Sequence, residues 1–167
     1  MENQIMLQDI SIRTELKPGD IGSVINMHAR LYSREYNYGI QFEAYVAKGL
    51  CEFYENYDPK RNRVWICEHN QRMIGFMLLM DRGPAAQLRY FLIEPEYRGL
   101  GLGSKLMRLY LDFLRDCGYQ AAYLWTTHEL GTAAYLYKRA GFKLTEQKDS
   151  TAFGKPLQEQ RYDLSLA

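Results

Sequence analysis

Apolar residues recur along this chain with two alternating periods. Ile10, Ile12, Thr14 and Leu16 alternate with polar neighbours, the two-residue period of a half-buried strand. Pro18-Gly19 breaks that run, and Asp20 suits a helix N-cap. Ile21, Val24, Ile25, His28 and Tyr32 then follow at helical spacing. After a turn at Asn37 to Gly39, Phe42, Val46, Leu50, Phe53 and Tyr57 do the same, up to Asp58-Pro59. Arg63 to Glu68 and Met73 to Met80 read as a hairpin joined at His69 to Arg72, although the joint lacks an Asn-Gly pair. Gly83-Pro84 sets off a third strand, Gln87 to Ile93. A helix from Gly101 to Cys117 places Leu102, Leu106, Leu109 and Phe113 on one face and Lys105, Arg108, Asp112 and Arg115 on the other. A short strand (Ala121 to Trp125), a helix (Leu130 to Ala140) and two strands (Phe142 to Gln147, Gln160 to Leu166) complete the order βααβββαβαββ. Strand–helix alternation in the second half requires a parallel pair, and the hairpins require antiparallel ones. The expected fold is α/β (α+β), a mixed, twisted central sheet with helices on both faces.

Composition narrows the class. The 167 residues suit one domain spanning 1–167, and 47% hydrophobic with 25% charged residues describes a globular chain. Lys plus Arg number 21 against 20 Asp plus Glu, a net charge of +1, so no basic footprint for nucleic acid or an anionic membrane exists. The longest apolar run, Met73 to Met80, falls far short of the ~20 residues of a membrane span. Its N-terminus lacks the basic and apolar regions of a signal peptide. Cys51, Cys67 and Cys117 show no metal-ligand spacing and leave one over in any disulfide scheme. A reduced, cytoplasmic setting and no metal are the expectations.

The segment Glu94-Pro-Glu-Tyr-Arg-Gly-Leu-Gly-Leu-Gly-Ser-Lys follows a strand and opens a helix. Gly99, Gly101 and Gly103 leave backbone N–H groups unobstructed at a helix N-terminus, an anion site suited to a pyrophosphate. Arg98 and Lys105 add charge. The alternative is a glycine-rich turn needed only for tight geometry. The P-loop pattern fails because Ser104 stands between Gly103 and Lys105. The dinucleotide pattern fails because Ser104 or Leu106 stands where it requires glycine, which disfavours a nucleotide-binding protein.

Arg98-x-x-Gly101-x-Gly103, followed by Leu136-Tyr137-x-x-x-Gly141-Phe142, resembles the GNAT superfamily of acyl-coenzyme A-dependent N-acetyltransferases. The likeness runs over nearly the whole chain and is nearest to the acetyltransferase half of fusions with MarR-type regulators. It rests there on stretches such as Gly19-Asp20-Ile21-Gly22, Leu31-Tyr32, Leu124-Trp125-Thr126 and Phe153-Gly154. The chain starts at the acetyltransferase strand, so no DNA-reading part is expected. The resemblance implies acetyl transfer from acetyl-CoA to a primary amine through a ternary complex. Leu92 and Ile93 would pair with the pantetheine amides, and Arg98, Gly99, Gly101, Gly103 and Ser104 would hold the pyrophosphate. Tyr137 matches the family's thiolate-protonating tyrosine; its alternative is a core tyrosine with a backbone partner.

The base is more open. Many members carry Glu where this chain has Gln87 and Asn where it has Leu130. His28 has a suitable ordinary pKa and an inward position, with a hydrogen-bonded core histidine as the alternative. His128 follows the fifth strand, at the mouth or simply exposed, and Thr126-Thr127-His128-Glu129 reads as a capping box. Glu35, Tyr36 and Trp125 are the candidate acceptor-binding residues, carboxylate and aromatics suiting a cationic amine. A non-catalytic acyl-CoA-binding sensor is the alternative function. The superfamily often forms homodimers; no feature of the sequence sets the oligomeric state.

Overall fold

The computed structural model describes residues 4–167. The strands are β1 (Ser11–Arg13), β2 (Arg63–His69), β3 (Arg72–Arg82), β4 (Ala85–Ile93), β5 (Ala121–Thr127), β6 (Lys143–Ser150) and β7 (Leu157–Ser165). Helices α1 (Asp20–Tyr36) and α2 (Ile40–Glu55) separate β1 from β2, α3 (Leu102–Asp116) separates β4 from β5, and α4 (Gly131–Arg139) separates β5 from β6. The order βααβββαβαββ is therefore the expected one. The seven strands form one sheet, ordered β1-β2-β3-β4-β5-β7-β6. Only β4 and β5 run parallel.

Alternation along the central strands builds two cores. Trp65, Cys67, Met77 and Leu79 pack on one face with Leu102, Leu106, Tyr110 and Leu114 of α3. Val64, Ile66, Phe76 and Leu78 pack on the other with Val24 and Leu31 of α1 and Val46 and Leu50 of α2. The helices thus lie on both faces, as the apolar stripes require.

Three local readings change. The β2–β3 joint uses Asn70 and Gln71, both at positive φ (50° and 63°), the mirror-image turn that hairpin twist favours, with Gln standing where Gly is usual. β1 ends at Arg13, short of the expected Leu16; Arg13 still pairs with Ile66, and its side chain clamps Asp20, donating to both carboxylate oxygens at 2.6 and 2.7 Å, while its Nε reaches Glu68. No capping box forms at Thr126 to Glu129. Thr126 and Thr127 instead extend β5, pairing with Gln160 and Glu159 of β7, because the ladder satisfies their backbones. Leu130 caps α4 without a side-chain hydrogen bond, and Glu129 pairs with Lys155 at 2.9 Å.

Two irregularities position the site. Where β3 meets β4, Phe76 faces Leu92 but Leu78 faces Arg89, so β4 carries one residue more than β3. Tyr90, inside this bulge, has φ 58°. The extra residue reverses the strand's facing: Leu88 packs with the α3 core, whereas Leu92, four residues on, packs with the α1–α2 core. β4 parts from β5 just before the bulge. Their pairing covers only Ala85–Ala121, Ala86–Ala122 and Gln87–Tyr123, although β4 continues to Ile93 and β5 to Thr127.

Candidate active site

The gap between the diverging strands opens into two clefts of about 700 and 830 Å³, counted to their open mouths. Tyr32, Phe91, Leu130 and Tyr137 line both, so the clefts meet there. Of five buried side-chain polar atoms lacking a partner among the described residues, four belong to cleft residues: His28 Nε2, Tyr90 Oη, Thr126 Oγ1 and Glu129 Oε1. Buried polar atoms are rarely left unpaired, and their concentration here leaves the cleft walls with polar groups open to water or a ligand.

The larger cleft gathers Leu92, Ile93, Arg98, Glu35 and Tyr36 beside the start of α4. Next to it lies the glycine turn. Gly99 (φ 77°) and Gly101 (φ 89°, the N-cap of α3) occupy the left-handed region that lets the chain enter the helix here. Backbone N–H groups from Gly99 to Ser104 make no hydrogen bond among the described residues, leaving donors aimed out of the helix N-terminus. Gly103 has a different reason to be glycine: a Cβ there would lie 2.9 Å from Leu136 of α4. The glycine and Leu-Tyr motifs are thus one packing contact.

Arg98 and Glu35, candidates for opposite ends of the site, form a bidentate pair at 2.9 and 3.0 Å. Arg98 Nε also donates to the Ile93 carbonyl at 3.0 Å. Glu35 therefore stands with Tyr36 on the glycine-turn side, its charge already met by a guanidinium.

The smaller cleft contains His28, Gln87 and Trp125 within an aromatic wall that includes Tyr38, Phe42 and Phe153. The His28 Nδ1 lies 2.8 Å from the Val24 carbonyl, so Nδ1 carries the proton and donates, and Nε2 is an unprotonated, unpartnered acceptor. Burial drives the ring's pKa down to about 4, opposed by that backbone hydrogen bond. Gln87 Oε1 accepts from Arg82 Nε at 3.0 Å and from the Tyr123 hydroxyl at 3.4 Å. Trp125 carries Lys148 Nζ over its ring at 4.6 Å. His128 lies elsewhere, its Nδ1 accepting from the Gln158 backbone N–H.

Tyr137 stands where the clefts join, 5% exposed. Its ring rests on Phe91, Phe142 and Tyr162 at centroid distances of 6.0 to 6.3 Å. Its hydroxyl has no hydrogen-bond partner among the described residues, and burial raises its pKa above the ordinary tyrosine value. Tyr137 is a core tyrosine, packed in the α3-side cluster, whose hydroxyl has no backbone partner among the described residues. Arg89, Tyr90 and Thr126 also line the smaller cleft, and no periodicity singled them out. The β4 bulge places Arg89 and Tyr90, and the extension of β5 along β7 places Thr126; strand alternation reveals neither.

Comparison with known proteins accords with this geometry. The Acetyltransferase (GNAT) family profile matches residues 26–142, well over half of the chain. The chain belongs to the GNAT acetyltransferase family. Among relatives, it is 23% identical over 155 residues to an uncharacterized N-acetyltransferase of Methanocaldococcus jannaschii, covering 87% of this chain and 66% of that one. It spans just under two thirds of that relative and about half of the next ones. Among solved structures, an acetyltransferase from Streptococcus agalactiae superposes with TM-score 0.74 at 20% identity, over 95% of this chain and 99% of that one. A GNAT family acetyltransferase from Elizabethkingia anophelis, solved with acetyl-CoA bound, superposes with TM-score 0.64 at 14% identity, over 95% and 99%. The GNAT match ends at Phe142, so Phe153, Lys155 and Glu159 enclose the clefts from outside it. No group of His, Cys, Asp and Glu among the described residues could hold a metal ion. No helix among them is long and apolar enough to cross a membrane.

The buried His28 gives the GNAT fold a pH signature. The unfolded chain takes up its proton near pH 6.5, but the folded chain resists until about 4. Stability is therefore complete above pH ~6.5 and falls as pH drops towards 4, by up to about 3 kcal/mol from this ring. Denaturation at pH 7 and pH 4.5 measures the loss, and His28→Gln is expected to lose distinctly less between the same two values.

Proposed function

We propose that this chain transfers an acetyl group from acetyl-CoA to a primary amine. One observation carries the reading: the strands part between a glycine turn with unpaired N–H groups at one end and a second cleft at the other, with Tyr137 at the junction. The larger cleft fits coenzyme A. Its free N–H donors from Gly99 to Ser104 suit a pyrophosphate, and Leu92 and Ile93, which have no β5 partner along the gap, suit an amide-bearing arm. Arg98 stays beside the turn, held there by Glu35, which offsets its charge. Acetyl-CoA supplies an acyl thioester.

The amine enters through the smaller cleft as the free base. Its nitrogen forms a bond to the acyl carbon, the carbon–sulfur bond breaks, the nitrogen loses one proton and the sulfur gains one. Tyr137, kept protonated by burial, gives its proton to the leaving sulfur. His28 Nε2, neutral at pH 7, accepts a hydrogen bond from the incoming N–H and orients the lone pair. Gln87 cannot take the proton, so the amine proton leaves through His28 or water to solvent, and a proton from solvent restores Tyr137.

The test combines thermal stabilisation by acetyl-CoA with thiol release from acetyl-CoA against pooled primary amines. Release above hydrolysis supports transfer. Stabilisation without release from any pool supports the sensor reading instead, and neither effect overturns both. Gly101→Val is expected to weaken acetyl-CoA stabilisation, measured against its own unliganded melting point, by roughly tenfold or more in apparent Kd. A β-branched residue cannot hold φ 89° without turning the N–H groups away.

A further inference from the structure

Arg89 is the cation of the smaller cleft, and it lacks an anion. It enters no ion pair or side-chain hydrogen bond among the described residues. Its guanidinium carbon lies over Tyr45 and Tyr90, 5.4 and 4.7 Å from their ring centroids. The nearby carboxylate, Glu52, is already taken by Arg82 at 2.7 Å. Arg98, the arginine of the larger cleft, is engaged by Glu35 at 2.9 Å. The bulge explains the difference. Arg89 and Tyr90, adjacent in β4, both project towards α2, where a Cβ on Gly49 would meet Tyr90 Oη and an Arg89 nitrogen. Arg89 is thus held on aromatic faces at the wall of a cleft whose other charged group, Glu159, lies beyond β5 on β7.

We infer that the acceptor carries a carboxylate as well as its amine, and that Arg89 binds that carboxylate in the smaller cleft. This rests on the acetyl-transfer reading for its chemistry but not for its binding step. A guanidinium matches a carboxylate with two parallel N–H donors, which an amine without an acid group cannot use. Glu159, on the other side of the gap, attracts an ammonium, so the two side chains together favour a zwitterion. Glu35, the carboxylate first in line for an amine, is neutralised by Arg98 and leaves that task open.

The experiment pairs each amino acid with its decarboxylated counterpart: L-phenylalanine with phenethylamine, L-leucine with 3-methylbutylamine, and 5-aminopentanoate with butylamine. Binding to the protein in the presence of coenzyme A is followed by calorimetry, and thiol release from acetyl-CoA is followed separately. At least one amino acid should bind roughly tenfold or more tightly than its counterpart. Arg89→Gln should remove that preference while leaving stabilisation by coenzyme A unchanged, and Arg89→Lys should restore part of it. Preferred binding lost in Arg89→Gln, but with no thiol release, upholds the carboxylate site and overturns acetyl transfer. Thiol release from the plain amines equal to that from the amino acids upholds transfer and overturns this inference. So does a preference that survives in Arg89→Gln, or the absence of binding by any of the amino acids.

Discussion

Tyr137→Phe is expected to lower kcat for acetyl transfer by about 10²-fold or more, with the Kd for acetyl-CoA changed less than about twofold. The substitution removes one hydroxyl and keeps the ring that packs against Phe91, Phe142 and Tyr162. Among the described residues that hydroxyl holds nothing in place, so the fold should lose little. What is lost is a proton at the junction of the two clefts, where the sulfur must leave. Single-turnover thiol release and acetyl-CoA titration, made on the same preparation, separate the two effects. A kcat within threefold of the parent would take Tyr137 out of the mechanism. A matching rise in Kd would make it a binding residue instead.

Gly49→Ala should destabilise the protein by about 1–3 kcal/mol, the usual cost of overfilling a packed interior. Helix propensity alone gives the opposite sign, since alanine in mid-helix is favoured over glycine by about 1 kcal/mol. The structure decides against propensity because a Cβ at Gly49 would overlap the Tyr90 hydroxyl. Tyr90 cannot readily yield, being buried and fixed at φ 58° in the β4 bulge. Displacing it should also disturb the cleft, so activity falls with stability. Tyr90→Phe offers the control. Among the described residues its hydroxyl is buried without a partner, so removing it costs little by itself and relieves the tightest contact of the new methyl, leaving the end of the Arg89 side chain to shift. Denaturation midpoints of both single variants and the double variant measure this; a double variant no more stable than Gly49→Ala would refute the proposed contact.

Much of this molecule is written in short-range pattern. The two-residue and helical periods determine the element order, and alternation along β2 and β3 assigns their residues to two cores. The glycine spacing determines a helix N-terminus open to an anion, and Leu136-Tyr137 places the tyrosine on the helix that packs against it. Where sequence reading failed, the deciding energy was non-local. A capping box at Thr126 to Glu129 is a sound local reading, yet pairing with β7 satisfies those backbones better. Leu88 and Leu92 have matching parity, but one residue opposite Met77 without a partner puts them on opposite faces.

The same limit governs the site. By itself the sequence determined the fold class, a glycine turn at a helix N-terminus and a tyrosine acid candidate, because each depends on residues a few positions apart. Only the tertiary structure decided that Glu35 answers Arg98 across 63 residues, that Glu52 is claimed by Arg82, and that Arg89 is left with aromatic neighbours. Which charges are satisfied is settled by competition among partners brought together by folding, and a linear pattern carries no record of that competition.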